Sequence, residues 1–210
     1  MAKHTLGWMP GDGVGNEVMA AAREVLDAVG LDAEYVSLDI GWDYWCSEGD
    51  ALPSRTVEGL KNCDAALFGA ITSKPKAEAE AELTPELQGK DLIYRSPIVR
   101  MRQEFDQYSN VRPCRAFEGN PLNYQDGIDL VVFRENTEGM YGGVEWSPVD
   151  GEIRAALETH PNFSRFASIP PEEMAFSSRI ITWKGATRLI RAAFEYAKKH
   201  GYPTVTVVEK

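Results

Sequence analysis

The sequence predicts an α/β protein in which a doubly wound, mostly parallel sheet is followed by a second, smaller α/β domain. Two observations lead to this prediction. In the first 70 residues, short runs of apolar and β-branched residues alternate with segments of helical periodicity, as in strands joined by helices. Later, the apolar run 129–133 ends in a polar segment, which is typical of a buried strand that leads into a ligand site. We expect the large domain to comprise residues 1–107 and the small domain residues 108–210.

The elements of the large domain follow from periodicity and from turn residues. Strands are predicted at residues 6–9, 33–38 and 65–68, and a short helix at residues 53–62. A longer helix is expected to stop at Gly30, because apolar residues recur at helical spacing before that glycine. Its apolar positions are Val14, Val18, Ala22, Val25 and Val29. The aromatic residues Trp42, Tyr44 and Trp45 are expected to pack in a core or an interface.

A glycine-rich turn, residues 10–15, lies between the first strand and the first helix. Such a turn can bring backbone amides and a helix N-terminus to an anion. Asn16 occupies the position of the third glycine of a dinucleotide-binding fingerprint, and no Gly-Lys-Ser/Thr follows. The sequence therefore predicts neither a standard Rossmann loop nor a Walker A loop.

The small domain is predicted from four strand-like runs and one helix. Beyond the run 129–133, strands are expected at residues 142–146, 178–182 and 204–208. A helix with an apolar face between residues 186 and 197 is expected to end near Gly201. Residues 147–174 are polar and proline-rich, and we expect them to form surface without chemistry. Upstream, Ser96 is placed to cap a helix that carries Arg102, with Pro97 in its first turn.

Arginines and a tyrosine are the candidate chemical groups. Arg134 offers a planar fork for a carboxylate or phosphate, and Tyr141 offers a phenol that can donate or accept a proton. For either residue alone, the better explanation is structural: a surface arginine in a turn, or a tyrosine packed on a core. Arg102 and Arg112, in two further motifs, favour a shared carboxylate pocket.

Composition and charge limit the classes of partner. The chain has 210 residues, 43% of them hydrophobic, and a formal net charge of −10, which argues against nucleic acid and anionic membranes. No segment has the length and apolarity of a signal peptide or a membrane span, so a cytoplasmic protein is expected. The cysteines Cys46, Cys63 and Cys114 lack metal or redox spacing and are expected to be reduced. The three histidines lie in no motif.

Five segments together resemble the β-decarboxylating dehydrogenases of isocitrate, homoisocitrate and 3-isopropylmalate. They are residues 11–15, 67–71, 102–112, 134–141 and 207–210, in this order and spacing, so the resemblance covers nearly the whole chain. It implies an isopropylmalate dehydrogenase-like fold, a di- or tricarboxylate substrate, NAD or NADP, Mg or Mn, and a homodimer whose dimerisation region lies near residue 146.

The resemblance also implies residue roles. Lys210 would be the catalytic base or its relay, and Tyr141 the acid. Arg102, Arg112 and Arg134 would bind the substrate carboxylates, Ser96 would bind the γ-carboxylate of an isocitrate-type substrate, and Thr72 would lie near the nicotinamide. Two positions depart from the family: Asn16 replaces a usual proline, and Ile98 replaces an asparagine that assists Ser96.

The family places its metal-binding aspartates and adenosine-binding residues after the lysine, beyond Lys210. The resemblance therefore implies that both domains are incomplete and that the 210-residue chain alone is inactive. Two functions stay open: an oxidoreductase that acts with the rest of the polypeptide, and a non-catalytic or truncated subunit that binds carboxylates. Among substrates, isocitrate or a close homologue is favoured, although Ile98 and Val99 offer apolar surface suited to isopropylmalate.

Overall fold

The chain forms two compact units in a computed structural model, which describes residues 3–209 and, for residues 76 and 77, the backbone alone. We call Met1–Met101 the N-terminal unit and Arg102–Lys210 the C-terminal unit. The predicted domain bounds, 1–107 and 108–210, stay a prediction.

A three-stranded parallel sheet forms the centre of the N-terminal unit. The strand order is β2-β1-β3, with every neighbouring pair parallel. The three predicted strands are thus confirmed, and their parallel arrangement places their carboxyl ends at one edge of the sheet. The strands are β1 (His4–Gly11), β2 (Ala33–Ser37) and β3 (Ala65–Ala70). The helices are α1 (Val14–Ala28), α2 (Trp42–Glu48), α3 (Ser54–Leu60) and α4 (Lys76–Ala81), and α5 (Pro97–Glu104) follows them.

The predicted helix α1 is confirmed, but the apolar positions that predicted it lie mostly in solvent. The buried residues are Gly15 and Met19, whereas Val29, just past the helix end, is 72% exposed and three valines of the same stripe are also exposed. Gly15 explains this orientation, because a Cβ there would lie 2.2 Å from the Pro10 carbonyl oxygen and 2.5 Å from that of Ala70. The helix approaches the sheet through its glycine, and periodicity alone does not identify which apolar stripe makes that approach.

Two hydrophobic clusters stabilise the N-terminal unit. One is built around Met9, Ile40 and Leu52, and the other around Trp42 and Trp45. The predicted core packing of the two tryptophans is therefore confirmed. Tyr44 behaves differently: its hydroxyl donates to Asp39 at 2.6 Å. This hydrogen bond, together with burial, raises the pKa of Tyr44 to about 12.

The C-terminal unit contains two small antiparallel sheets and a long helix. One sheet pairs β4 with β5, and the other pairs β6 with β7. The predicted helix near residue 190 is confirmed, and it ends at Gly201, whose backbone is left-handed. The elements are β4 (Ser109–Arg115), β5 (Asp129–Glu135), β6 (Glu145–Trp146), α6 (Gly151–Glu158), β7 (Phe176–Ser177) and α7 (Trp183–His200), with 3-10 helices at Pro161–Phe166 and Pro171–Glu173.

The strand predicted at residues 129–133 is present, but it is not buried on both faces as predicted. β5 is antiparallel to β4, and Leu130 and Val132 are exposed. The opposite face is covered, because Phe133 packs its ring against Tyr196 of α7 at 5.3 Å between centroids. A two-stranded sheet with one helix on it has one covered face only, so alternate residues of β5 remain in solvent.

Two other predicted strands were wrong. In the segment 178–182, Ile180 makes an isolated bridge with Gly139, and the regular strand is Phe176–Ser177. Residues 204–208 form no strand with any described part of the chain, and Val208 is largely exposed. β-Branched composition favours extended backbone, but a strand also needs a neighbour for its amides and carbonyls.

The three cysteines carry free thiols, as predicted. None of the helices within residues 3–209 combines the length and apolarity needed to cross a lipid bilayer.

Candidate functional site

Two of the predicted site arginines lie on one face of the β4–β5 sheet. Asn110 is the register partner of Arg134, and Arg112 lies two residues beyond Asn110 on β4. Because side chains alternate along a strand, Arg112 and Arg134 are diagonal neighbours on the same face, opposite to the face that α7 covers. The Nε of Arg112 donates to the Asn110 side-chain oxygen at 3.0 Å, which orients its guanidinium.

Arg102 belongs to the same group of charges. Burial, together with the positive charges of Arg134 and Arg112, lowers the pKa of Arg102 below its ordinary value. Arginine still stays protonated in water, so three positive charges lie close enough to interact within the C-terminal unit. In a chain of net charge −10, such a local cluster is what a carboxylate ligand requires.

Tyr141 lies against this cluster. The Arg134 guanidinium stacks over the Tyr141 ring at 4.6 Å from its centroid, and the Tyr141 carbonyl accepts from the Gln103 side chain at 3.3 Å. The structure thus brings together Arg102, Arg112, Arg134 and Tyr141. Their catalytic and binding roles stay predictions.

A shallow cavity on the opposite face of the sheet is lined by other residues, among them Tyr196 and Tyr202.

Glu135 organises the loop between Arg134 and Tyr141. Its Oε1 accepts from the backbone N–H groups of Asn136, Thr137 and Glu138, at 2.7–3.0 Å, and from the Thr137 hydroxyl at 2.9 Å. A carboxylate that accepts several backbone donors fixes a tight turn. The direction of the chain after β5, and with it the position of Tyr141, depends on this residue.

Glu138 attaches the same loop to the beginning of α7. Its carboxylate accepts from the Thr182 backbone at 2.9 Å and from the Thr182 hydroxyl at 2.6 Å. These hydrogen bonds lower the pKa of Glu138. Gly185 makes the contact possible, because a Cβ there would lie 2.2 Å from a Glu138 carboxylate oxygen.

The described residues do not fit a magnesium or manganese site. Glu138 and the Oε1 atom of Glu135 already accept hydrogen bonds within the protein, and Glu135 Oε2, which is buried without a described partner, is a single oxygen and not a ligand set. Across residues 3–209, moreover, no group of three His, Cys, Asp or Glu side chains is arranged to hold a metal ion. Lys210, the predicted base, lies outside the described residues.

Thr72 lies at the carboxyl edge of the sheet in the N-terminal unit, the edge where ligands bind in open α/β sheets. Its backbone N–H and its hydroxyl donate to Asp12 Oδ1 at 2.7 and 2.6 Å. The other Asp12 oxygen accepts from the Trp42 backbone at 2.6 Å. Asp12 is only 4% exposed, so one buried carboxylate joins the segments that follow β1, β2 and β3. Since the Thr72 hydroxyl donates to Asp12, its oxygen can accept a hydrogen bond from a ligand.

Asp12 was not identified from the sequence, although an acid between two glycines in a strand-to-helix turn was a usable signal.

We expect Asp12→Ala to lower the free energy of unfolding of the chain by about 2–4 kcal/mol, because buried donors left without an acceptor cost about 1–3 kcal/mol each. Urea unfolding followed by tryptophan fluorescence measures this loss. The control is Asp32→Ala, an exposed residue of the same charge. A loss equal to that of the control would contradict the structural role of Asp12.

Ser96 precedes α5, and its carbonyl accepts from the Arg100 backbone at 3.1 Å. The two cations nearest to it in sequence are engaged elsewhere. Arg100 pairs with Asp50 and also donates to the Leu52 carbonyl at 3.3 Å, and Lys74 pairs with Glu82. A γ-carboxylate at Ser96 would therefore compete with existing ion pairs for either cation.

The chain is similar to known proteins over nearly its whole length. A family profile described as isocitrate/isopropylmalate dehydrogenase matches residues 5–210. "Protein DlpA" of Legionella pneumophila is 36% identical over 96% of the chain and 32% of its own length. The 3-isopropylmalate dehydrogenase of Methanothermobacter thermautotrophicus is 35% identical over 96% of the chain and 48% of its own length. The crystal structure of isocitrate dehydrogenase from Methylococcus capsulatus superposes with a TM-score of 0.70 at 29% identity, over 94% of this chain and 48% of that one.

The chain thus spans about half the length of these two dehydrogenases, and a third of the Legionella protein. The profile match extends over almost all of its residues, including both groups of predicted site residues. By sequence and by fold, the chain belongs to the isocitrate/isopropylmalate dehydrogenase family.

Proposed function

We propose that this protein, together with the part of the polypeptide that its relatives have and this chain lacks, oxidatively decarboxylates a 2-hydroxy-3-carboxy acid with NAD or NADP. One observation supports the proposal: Arg134 stacks on Tyr141, and the charges of Arg112 and Arg102 lie near it in a strongly acidic protein. Binding energy from several charge-assisted hydrogen bonds suits an acid with two or three carboxylates.

The residues of this chain have separate tasks in the proposed reaction. Arg102, Arg112 and Arg134 bind and orient the carboxylates of the acid. Lys210, as the base or its relay, accepts the proton of the substrate hydroxyl. NAD or NADP, when bound, would supply the acceptor for the hydride of the carbinol carbon. After carbon dioxide leaves, Tyr141 donates a proton to the enolate carbon. Mg or Mn, when bound, would supply positive charge that stabilises the enolate, and the described residues of this chain contain no ligand set for it.

Isocitrate or a close homologue is the first candidate substrate, because the segment 134–139 resembles the tricarboxylate branch and the Ser96 hydroxyl can donate to a γ-carboxylate. A specific observation favours a second candidate, isopropylmalate. Arg100 and Lys74 are both in ion pairs, and Ile98 beside Ser96 is apolar. A carboxylate buried there without a cation would lose more free energy than an isopropyl group.

The experiment compares kcat/KM for isocitrate and isopropylmalate, with NAD and with NADP, in the complete protein. We expect isocitrate to be preferred, and Ser96→Ala to lower kcat/KM for isocitrate about tenfold, since a hydrogen bond to a charged group contributes about 1.5–3 kcal/mol. Ser47→Ala, on the exposed face of α2, is the control. A tenfold preference for isopropylmalate would establish the second candidate instead.

A non-catalytic subunit that binds carboxylates is the alternative from another class. The open reading frame after Lys210 separates the two: an aspartate-rich continuation supports the enzyme, and a stop codon supports the binding subunit. In either case we expect the 210-residue chain alone to form no NADH or NADPH. A homodimer in the cytoplasm belongs to the same proposal, and light scattering of the purified protein tests the dimer.

A further inference from the structure

Arg188 of α7 makes contacts that no motif in the sequence indicates. Its Nη1 donates to both carboxylate oxygens of Asp106, at 2.8 and 2.7 Å, and its Nη2 donates to the Thr137 hydroxyl at 3.1 Å. The guanidinium stacks over the Tyr108 ring at 4.4 Å from its centroid. The Arg188 side chain is 22% exposed, whereas Asp106 is 67% exposed, so the ion pair lies at the surface and the contact with Thr137 is partly buried.

The three contacted residues flank the three site arginines. Asp106 follows α5, the helix that carries Arg102, and Tyr108 immediately precedes β4, the strand that carries Arg112. Thr137 lies in the loop after Arg134. One side chain of α7 therefore contacts a side chain three or four residues away from each arginine of the carboxylate site.

The backbone at Asp106 belongs to the C-terminal end of α5. Asp106 has a φ of 46°, in the left-handed region. Its N–H donates to the Gln103 carbonyl at 3.3 Å, and the Gln107 N–H donates to the Arg102 carbonyl at 2.8 Å, which is the hydrogen-bond pattern of a Schellman motif. This motif turns the chain from the Arg102 helix toward β4, and the Asp106 carboxylate pairs with Arg188 at that turn.

Thr137 extends the same set of contacts into the loop that carries Tyr141. Its hydroxyl accepts from Arg188 and donates to Glu135 Oε1 at 2.9 Å. Glu135 in turn accepts the backbone N–H groups of the loop. Displacement of Arg188 would therefore reach both the arginines and the tyrosine.

Charge explains why the three site arginines need an additional contact and why Arg188 can supply it. Arg102, Arg112 and Arg134 repel one another when no anion is bound, so an external contact must keep them together. Arg188 does not add to this repulsion, because the Asp106 carboxylate balances its charge. Nor is it a fourth ligand for the acid: both terminal nitrogens donate to protein groups, and Nε is buried without a partner in the described part of the chain.

We infer that Arg188 is a positioning residue, which with Asp106 and Thr137 holds Arg102, Arg112 and Arg134 in the arrangement that binds the substrate carboxylates. The inference rests on the proposed role of these arginines. It adds a residue that acts on substrate affinity without touching the substrate.

The test is isothermal titration calorimetry of the complete protein with isocitrate and with isopropylmalate, in the absence of NAD(P), so that binding is measured without turnover. We expect Arg188→Lys, which keeps the charge and loses the planar fork, to weaken binding about 3- to 30-fold, the range typical of residues that act on a site indirectly. Arg188→Gln should weaken it at least as much. Asp106→Asn tolerates the left-handed backbone and loses the charge, so it should have a smaller effect in the same direction.

Arg191→Lys is the matched control, because Arg191 is exposed on the same helix, and its affinity should equal that of the wild type. A merely structural role of Arg188 would reduce the number of binding sites per chain and leave the dissociation constant unchanged, and that result would overturn the inference. Unchanged binding in all three variants would also overturn it, while the proposed function would stand. If the wild-type protein bound neither acid, both proposals would fall.

Discussion

Tyr141→Phe in the complete protein should lower kcat by about 10²- to 10⁴-fold and change the KM of the acid little, because a group that transfers a proton acts only along the reaction path. Phenylalanine keeps the ring on which the Arg134 guanidinium stacks at 4.6 Å. The substitution removes only the phenolic hydroxyl group. The carboxylate-binding arginines and the loop held by Glu135 should therefore keep their positions.

Steady-state kinetics with saturating NAD(P) measures this effect. Tyr124→Phe is the matched control, since Tyr124 lies in the same unit and is 97% exposed, and its kinetics should equal those of the wild type. If Tyr141→Phe kept its kcat and raised KM instead, Tyr141 would be a binding residue, and the proton donor would have to be sought elsewhere.

Arg134→Gln should raise the KM of the acid, and its dissociation constant, by about 10- to 100-fold, since hydrogen bonds to charged groups contribute about 1.5–3 kcal/mol. Two effects contribute. The substitution removes the guanidinium fork, and it removes the stacking on Tyr141, which is worth about 0.5–1 kcal/mol at exposed positions. Arg134→Lys, which keeps the charge without the fork, should fall between the glutamine variant and the wild type.

Calorimetry and kinetics with the same acid give both constants for these variants. Arg179→Gln is the control, because Arg179 is an exposed arginine of the same unit. Equal affinity in Arg134→Gln and Arg179→Gln would show that Arg134 does not bind the acid, and the carboxylate pocket would lose its central member.

The local sequence pattern was sufficient to predict much of the secondary structure of this chain. The three strands of the parallel sheet and the helices α1 and α7 occur where periodicity and glycine placed them, because these signals depend on short stretches of backbone. The four candidate site residues of the C-terminal unit were also named from sequence, since arginine and tyrosine carry their chemistry in the residue type, and their roles stay predictions. The family resemblance supplied a common purpose for them.

Contacts between residues that are far apart in the sequence could be identified only from the tertiary structure. The buried stripe of α1 depends on how closely Gly15 lets the helix approach the sheet. The run 204–208 has strand composition and forms no strand with any described residue, because pairing requires a second segment.

The same distinction holds for the site. Asp12 lies 60 residues from Thr72, and Arg188 lies 82 residues from Asp106, so neither pair leaves a periodic signal in the sequence. The residue type determined which groups can bind a carboxylate or move a proton. Only the folded chain determined which side chains hold those groups in place, because a hydrogen bond depends on distance in space and not on separation along the chain.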